Sequence, residues 1–319
     1  MSGPDPTPRR ALERAARHVV AAQRDDGAWC DFELDGTPSD AWVTAYVGLG
    51  LASAAPHLAR PLDEPLARAR AFLLRSAAGR DGWGFNARAP VDADSTALGI
   101  AFTAPAGGAP PAAYATLRRH AHDDGGYSCY ERFSDPSTWA FSHVDVSAMA
   151  LRALLTEPQP DADAIARCVD FLAAAQAADG SWPSYWYASP VYSVAATLDA
   201  LRRCGPAALA RVRVDEAVHF AVTAAVPEDP FSGSLALAVV AAFGPPDAVR
   251  APLEALVRAQ RIDGRFTAAA PFMRPDPWNY APGDPDAAIL DGAGLFTTAT
   301  ALRALSLVVA RAPRELVRA

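Results

Sequence analysis

The amino-acid sequence predicts an all-α protein, an (α/α)6 barrel made of six helical hairpins. One unit recurs along the 319 residues: an amphipathic helix, a loop that usually holds glycine and an aromatic residue, and a more uniformly apolar helix. The amphipathic helices start near residues 11, 66, 112, 163, 213 and 252, a spacing of roughly 40 to 55 residues that is typical of helical-pair repeats. The last apolar segment, from Leu295 to Ala310, is hydrophobic on several sides, so it must pack on something, most simply the first repeat. Six hairpins that close in this way form inner helices surrounded by outer ones.

The composition suits a globular enzyme or binding protein with a large core, because 51% of the residues are hydrophobic. The formal net charge of −7 argues against a nucleic-acid partner, which needs a basic face. The four cysteines show no metal-ligand spacing, so a reduced cytoplasmic setting is expected. No apolar run is long and unbroken enough to span a bilayer, and peripheral membrane contact stays open.

The elements follow in order. Residues 1–10 hold three prolines and no periodicity, which predicts a loose tail before a single domain at 11–319. The first outer helix has its apolar residues at helical spacing, namely Leu12, Ala15, Ala16, Val19 and Val20. The apolar inner helices are expected to begin near Ser39, Asp92, Asp145, Tyr192, Ser234 and Leu295.

The loop of the fourth hairpin has the clearest pattern, F-L-x3-Q-x3-G-x-W, formed by Phe171, Leu172, Gln176, Gly180 and Trp182. Weaker copies end at Trp29 and Phe266. We expect these loop aromatics to be structural and to fix the loops between helices. The outer-to-inner connections are the longer ones, so the N-termini of the inner helices share one rim, which is the expected working face.

Two acids stand at the start of the second inner helix, in the string Val91-Asp92-Ala93-Asp94-Ser95-Thr96-Ala97. A carboxylate there can cap the free backbone N–H groups, and the apolar run that follows predicts a buried helix. An ordinary capped core helix has the same pattern. Grouping of Asp92, Asp94 and Asp145 could also keep one carboxyl protonated, as in other paired carboxylates.

Together these strings resemble the squalene–hopene cyclase and class II terpene cyclase superfamily over nearly the whole chain. That family's helix-opening motif is D-x-D-D-T-A, whose central Asp protonates an alkene or epoxide. The resemblance implies that Asp94 is this acid and Asp92 the leading Asp, with Ser95 in place of the final Asp.

A second family motif, A-D-V-T-A-H, carries the histidine that supports the acid. The similar string here is Val144-Asp145-Val146-Ser147-Ala148-Met149, so Asp145 matches and Met149 stands in place of the histidine. His143, two residues before Asp145, is the candidate replacement. Residues 180–186 are similar to the family's G-S-W-x-G-R-W, and Tyr192 is placed like its pocket tyrosine.

Aromatic faces would line the pocket and stabilise a carbocation, each by about 0.5–2 kcal/mol. The candidates are Trp42, Phe85, Trp139, Trp186, Tyr192, Trp278 and Phe296. Familiar class II cyclases hold the cavity between two helical domains, and this chain has one. The cavity therefore lies inside a single barrel, or a homodimer partner or second subunit closes it.

The resemblance implies a terpene cyclase-like enzyme, a cyclase or isomerase that protonates a hydrophobic isoprenoid or polyene. No cofactor is required for protonation. If the substrate carries a diphosphate, Mg²⁺ stays open as a cofactor, and Arg80, Arg88, Arg132 and Arg274 are the candidates to bind the diphosphate. One alternative is a prenyl-transferring toroid, whose family binds zinc through an Asp-x-Cys pair that this sequence lacks. The other is a non-catalytic toroid that binds a hydrophobic ligand or a protein.

Overall fold

The computed structural model of the protein describes residues 7–34, 36–131, 137–226, 228–267, 271–276, 278 and 288–311. The helices within these residues are α1 (Pro8–Ala21), α2 (Ala41–Ala54), α3 (Asp63–Ser76), α4 (Ala93–Thr103), α5 (Pro111–Arg119), α6 (Val144–Leu154), α7 (Ala162–Ala174), α8 (Val191–Cys204), α9 (Pro206–Leu209), α10 (Val214–Ala224), α11 (Pro230–Phe243), α12 (Arg250–Ala259) and α13 (Leu295–Arg311). Two antiparallel hairpins pair β1 (Glu33–Leu34) with β2 (Thr37–Pro38), and β3 (Phe272–Met273) with β4 (Ala288–Ile289).

The helices form the predicted double ring. The inner helices α2, α4, α6, α8, α11 and α13 each contact the next, and α13 returns to contact α2. The outer helices α1, α3, α5, α7, α10 and α12 pack against this inner ring. The fold is therefore the all-α toroid of helical hairpins that the sequence predicted. None of the described helices is both long enough and apolar enough to cross a membrane.

Two predicted boundaries were wrong. The first helix begins at Pro8, so residues 8–10 belong to α1 rather than to the tail, because Thr7 caps the helix and proline fits its first turn. Residues 1–6 lie outside the described residues. The inner helix of the fifth hairpin begins at Pro230, not near Ser234, because Asp229 accepts hydrogen bonds from the backbone N–H groups of Phe231 and Ser232 at 3.0 and 3.2 Å.

The three predicted loop aromatics, Trp29, Trp182 and Phe266, fix their hairpins as expected. The indole Nε1 of Trp29 donates to the carbonyl of Val19 at 2.8 Å, and that of Trp182 donates to Leu172 at 2.7 Å. Each bond ties the loop to the outer helix that precedes it. Phe266, whose side chain has no N–H, is buried at the same place in the last repeat. Its backbone N–H donates to Thr298 Oγ1 of the inner helix α13.

The ring is closed by the loop that follows α12. Gln260 Nε2 donates to the carbonyls of Ala11 and Gly264, both at 2.9 Å, and its Oε1 accepts from Arg14 Nε at 3.1 Å. Gly264 has φ +94°, and a Cβ there would stand 2.3 Å from the carbonyl oxygen of Arg14. Only glycine fits both the backbone angle and this close approach of α1. The last repeat is thus joined to the first.

The middle of the ring is filled with aromatic side chains. Tyr46 and Phe296 stack with centroids 3.6 Å apart, and Tyr187 and Tyr192 stack at 3.2 Å. The hydroxyl groups of Tyr46 and Thr300 are hydrogen-bonded at 2.8 Å below this layer. We call the layer formed by Tyr46, Tyr192 and Phe296 the aromatic floor, and Tyr187 stacks on it from the cavity side.

Candidate active site

A cavity of about 670 Å³ lies above the aromatic floor, within the range of 300–1,000 Å³ usual for small-molecule sites. Its wall is built from the first turns of α2 and α4, from the long connections before the inner helices, and from the strands β1, β3 and β4. This is the rim that the loop lengths predicted as the working face. All of the lining residues named here belong to one chain.

Asp94 lies in the first turn of α4, and its side chain lines the cavity. The helix begins there because Asp92 is its N-cap: Asp92 accepts hydrogen bonds from the backbone N–H of Ser95 at 2.7 Å and from the Ser95 hydroxyl at 2.8 Å. Asp92 therefore has the capping role, and Asp94, two residues on, is not used as the cap. Both carboxyl groups are buried among the cavity-lining residues.

One hydrogen bond holds the Asp94 carboxyl group. Trp42, at the start of the neighbouring helix α2, donates from its indole Nε1 to Asp94 Oδ2 at 2.7 Å. Asp94 Oδ1 is buried and has no hydrogen-bond partner among the described residues. Because Trp42 donates to Oδ2, Oδ1 is the oxygen left to carry the proton of a neutral acid.

The surroundings favour that neutral form. Burial raises the pKa of Asp94 well above its usual value, and the negative charges of Asp92 and Asp145 raise it further. Burial also raises the pKa of Asp92, to about 7, but the hydrogen bonds from Ser95 oppose the rise by stabilising the anion. Burial and the neighbouring charges thus favour the neutral form of Asp94, whereas the hydrogen bonds from Ser95 favour the anion of Asp92.

Asp145, the first-turn acid of α6, shapes the cavity wall. Its Oδ2 accepts hydrogen bonds from the backbone N–H groups of Tyr185 at 3.0 Å and Trp186 at 2.8 Å, and its Oδ1 accepts from Val146. The carboxylate thus fixes the connection that carries Trp186 and Tyr187 into the cavity wall. Its negative charge also raises the pKa of Asp94.

His143 lies at the N-cap position of α6, but its imidazole is directed to its own connection. Its Nε2 is 2.8 Å from the carbonyl oxygen of Thr138, and the ring stacks on Tyr185 with centroids 3.8 Å apart. Burial lowers the pKa of His143, so the neutral imidazole is favoured. The residue that bonds to the acid is Trp42, whereas the Nε2 of His143, the candidate replacement, is bonded to Thr138.

The predicted aromatic set is divided between the wall and the floor. Five of its members line the cavity: Trp42, Phe85, Trp139, Trp186 and Trp278, the last 63% exposed at the entrance. Tyr192 and Phe296 do not line it; they are 2% and 0% exposed and form part of the aromatic floor. They were assigned to the wall because they follow helix starts, but Tyr187 and Trp42 cover them.

Several lining residues were not predicted. Phe32 and Leu34 come from the β1 hairpin, and Phe272 and Ile289 come from the β3–β4 hairpin. These residues lie in long connections without periodicity, so no sequence pattern indicated that they turn inward. Cys129 also lines the cavity, with its Sγ 4.0 Å from Asp92 Oδ1.

The four arginines proposed as anion ligands have different positions. Arg274 lines the cavity. Arg80 donates to the carbonyls of Asn86 and Ala89 and so holds the connection before α4. Arg88 is exposed and does not line the cavity, and Arg132 lies outside the described residues. Within the described part of the chain, no group of three His, Cys, Asp or Glu side chains is placed to hold a metal ion.

No protein-family model and no curated protein matches the sequence. Solved structures match over nearly its whole length, and they define the class: the chain has the fold of the type II terpene cyclases. The type II terpene cyclase MstE from Scytonema is 24% identical, with a TM-score of 0.78 over 95% of this chain and 99% of MstE. An arginine-to-alanine variant of MstE was solved in complex with its substrate, geranylgeranyl dihydroxybenzoate.

Two further structures extend the comparison. A protein from Actinoplanes is 29% identical, with a TM-score of 0.78 over 95% of this chain and 99% of its own. The ent-copalyl diphosphate synthase from Streptomyces platensis is 23% identical, with a TM-score of 0.61 over 84% of this chain and 50% of the synthase. This chain is therefore similar to about half of that larger protein. These likenesses confirm the fold that the sequence motifs implied.

Proposed function

We propose that the protein is a class II terpene cyclase-like enzyme, which protonates an isoprenoid or polyene with Asp94 and guides the carbocation to a cyclised or isomerised product. One observation carries the proposal: a buried carboxyl group, with one oxygen held by Trp42 and the other without a partner, lines an apolar cavity. Capping of the helix does not explain the buried Asp94 carboxyl group, because Asp92 already caps α4.

In the first step the proton on Asp94 Oδ1 passes to the terminal alkene carbon. A C–H bond forms, and the carbocation appears on the adjacent, more substituted carbon. Asp94 becomes an anion, and the indole N–H of Trp42 stabilises it through the existing 2.7 Å contact. Hydrogen bonds to charged groups are stronger than those to neutral ones, so Trp42 favours the Asp94 anion that remains after the proton is donated.

The cavity wall suits the cation that follows. Trp42, Tyr187 and Phe272 present aromatic rings on the side nearest the acid, and each ring stabilises a nearby cation by about 0.5–2 kcal/mol. The aromatic floor closes the space below them. Water that would capture the cation early is kept out by this apolar lining. Cyclisation then proceeds by addition of further alkenes and ends with loss of a proton or capture of a nucleophile.

Asp92 and Asp145 act on the acid without touching the substrate in this scheme. Both raise the pKa of Asp94 through their charge, and both fix backbone around it. Asp92 fixes the start of α4 through Ser95. Asp145 fixes the connection bearing Trp186. The same geometry gives no direct role to His143, which is bonded to Thr138.

Incubation in deuterated water tests the proposal. The protein would be supplied with farnesyl and geranylgeranyl diphosphates, squalene and geranylgeranyl dihydroxybenzoate, the compound that MstE binds. We expect one of them to give a cyclic or isomerised product with one deuterium fixed on carbon. An acyclic alcohol, or no product from any of the four, would contradict the proposal.

The matched control is Asp94→Asn, which keeps the size of the side chain and an oxygen to accept from Trp42. It should abolish product formation and leave the circular dichroism and the melting temperature close to those of the unchanged protein. A non-catalytic toroid predicts the opposite: substrates bind, and Asp94→Asn alters neither binding nor chemistry. A zinc-dependent prenyl-transferring toroid predicts stoichiometric zinc in the purified protein.

A further inference from the structure

A cluster of charged side chains lies toward the end of the ring that is opposite the cavity. Three inner helices each place a charged residue eight positions after their first residue, namely Arg152 in α6, Asp199 in α8 and Arg303 in α13. At 1.5 Å per residue, this is about 12 Å along each helix from the rim. None of the three lines the cavity. Together with Arg202 and Arg203 in the last turn of α8, they form what we call the basal cluster.

The basal cluster has more positive than negative charge. Asp199 Oδ1 accepts a hydrogen bond from Arg202 at 2.8 Å, and its Oδ2 accepts from Arg203 at 3.0 Å and from Arg303 at 3.4 Å. Arg152 Nη1 is 3.9 Å from the same Oδ2, which is too far for a hydrogen bond. Among the described residues, no other carboxylate forms an ion pair with these arginines. Four positive charges therefore face one negative charge, in a chain whose formal net charge is −7.

The helix ends explain only part of this charge. Arg202 and Arg203 lie in the last turn of α8, where the helix dipole favours cations, and both side chains are 42% exposed to water. Arg152 is 9% exposed, and Arg303 lies in the middle of α13. Burial, and after it the charge of Arg303, lowers the pKa of Arg152 to about 9. Repulsion from Arg303 thus acts on Arg152 more strongly than attraction to Asp199 does.

Arg152 also has a hydrogen-bond donor that is not used. Its Nη1 is buried and has no hydrogen-bond partner among the described residues. The distance to Asp199 shows that this nitrogen points into the cluster. The Asp199 carboxylate is already occupied by the three other arginines. Because an unpaired buried donor is costly, a second acceptor placed beside Arg152 would be stabilised.

We propose that the basal cluster is a binding site for a phosphate group, with Arg152 and Arg303 as its main ligands and Arg203 on the solvent side. The group would supply the acceptor that Arg152 Nη1 lacks and would offset the excess positive charge. Guanidinium groups suit this ligand, because their planar forks match the spacing of phosphate oxygens. The partly exposed side chains of Arg202 and Arg203 provide the approach from solvent.

The charge of the cluster selects the class of anion. A phosphate group carries about 1.5 to 2 negative charges near pH 7, whereas chloride or a carboxylate carries one. The excess of positive charge is therefore better matched by phosphate. This inference goes beyond the proposed function, since the site does not include any residue that lines the cavity and takes no part in protonation.

The test measures anion binding without substrate. The unchanged protein would be titrated with inorganic phosphate and, separately, with inorganic diphosphate, by calorimetry and by thermal unfolding, with chloride used to hold the ionic strength constant. We expect saturable binding at one site and a rise in the melting temperature. Comparison of the two titrations shows whether a free phosphate or a diphosphate is the better ligand.

Two variants in the cluster should change the affinity in opposite directions. Arg152→Gln should weaken binding by about 10- to 100-fold, because a charge-assisted contact is lost. Asp199→Asn should strengthen binding, because the carboxylate that competes for the same arginines loses its charge. If Asp199→Asn lowers the melting temperature, phosphate should restore it.

Arg250→Gln is the matched control. Arg250 lies on the outer helix α12, where its side chain is 85% exposed and pairs with Glu254 at 3.1 Å. The variant removes the same charge and should leave the affinity unchanged. Absence of saturable binding to the unchanged protein, or equal weakening by Arg152→Gln and Arg250→Gln, would overturn the inference. Neither result depends on whether Asp94 protonates a substrate, so the two proposals can fail separately.

Discussion

Replacement of Trp42 by phenylalanine tests how the acid is held. Phenylalanine keeps an aromatic ring against Phe272 and Phe296 but removes the N–H that donates to Asp94 Oδ2. A hydrogen bond to a charged group contributes about 1.5–3 kcal/mol, and one to a neutral group about 0.5–1.5 kcal/mol. Loss of the indole N–H should therefore disfavour the Asp94 anion by about 1–2 kcal/mol relative to the neutral acid.

This energy predicts two measurable changes. The pKa of Asp94 should rise by about one further unit, and kcat should fall by about 5- to 30-fold because the weaker acid donates less readily. Activity requires protonated Asp94, so it is lost as the pH rises through the pKa of that residue. The variant should show a lower plateau and an alkaline limb displaced to higher pH. An infrared titration of the protonated carboxyl band, assigned with Asp94→Asn, measures the pKa without substrate.

Trp29→Phe provides the control, because Trp29 is also buried and also loses an indole hydrogen bond, in its case to Val19. It should lower the stability of the fold and leave kcat and the carboxyl band unchanged. If Trp42→Phe retains full kcat, and the Asp94 band titrates at its original pH, the indole does not stabilise the donated state and the mechanism drawn from this contact is wrong.

Three further predictions concern stability and positioning. Burial raises the pKa of Asp92 from 3.8 to about 7, so between these pH values the folded state retains a proton that the unfolded chain releases. The free energy of unfolding should therefore fall by up to about 4 kcal/mol as the pH rises from about 4 to 7. Asp92→Asn keeps a good helix cap and should flatten this slope in urea titrations; an unchanged slope would assign it to other groups. Gln260→Ala should lower the free energy of unfolding by about 1–3 kcal/mol and speed amide exchange in α1, whereas equal exchange would show that this loop does not close the ring. Asp145→Ala should raise KM, since the N–H groups of Tyr185 and Trp186 lose their acceptor, and Asp145→Asn should restore most of the affinity; equal effects would point to charge alone.

The ring could be predicted because several independent signals repeat along the chain. Helical periodicity, a glycine at the loop turn and an aromatic after it recur together, and the boundaries they predict fall within a few residues of those observed. The start at Pro230 was missed because the fifth repeat lacks the glycine and aromatic loop, although Asp229 followed by proline is itself a helix-start signal. The hairpins of β1 to β4 could not be predicted, since each strand has two residues and shows no periodicity.

The site was predicted only in part. Asp94 could be found because α4 alone among the inner helices opens with an Asp-x-Asp pair, of which one acid suffices as the cap. Trp42 was predicted as a lining aromatic, but its hydrogen bond to Asp94 was not, because the two residues are 52 positions apart and their contact depends on how α2 and α4 are rotated against each other. His143 was the candidate partner in the sequence, but its ring bonds to a carbonyl five residues back. Sequence patterns predict which residues lie at the start of a helix, but they do not predict the direction in which a loop side chain points.

The stacked tyrosine and phenylalanine rings of the aromatic floor form the bottom of the cavity that Asp94 lines. A flexible chain can enter such a cavity tail first. A fused-ring product is more rigid and wider, and it must leave by the same entrance, past the two β-hairpins and the tryptophans that line it. The helices are locked to one another around the full circle, so they cannot spread to let it out. If the protein is the cyclase proposed above, product release should therefore limit turnover at saturating substrate.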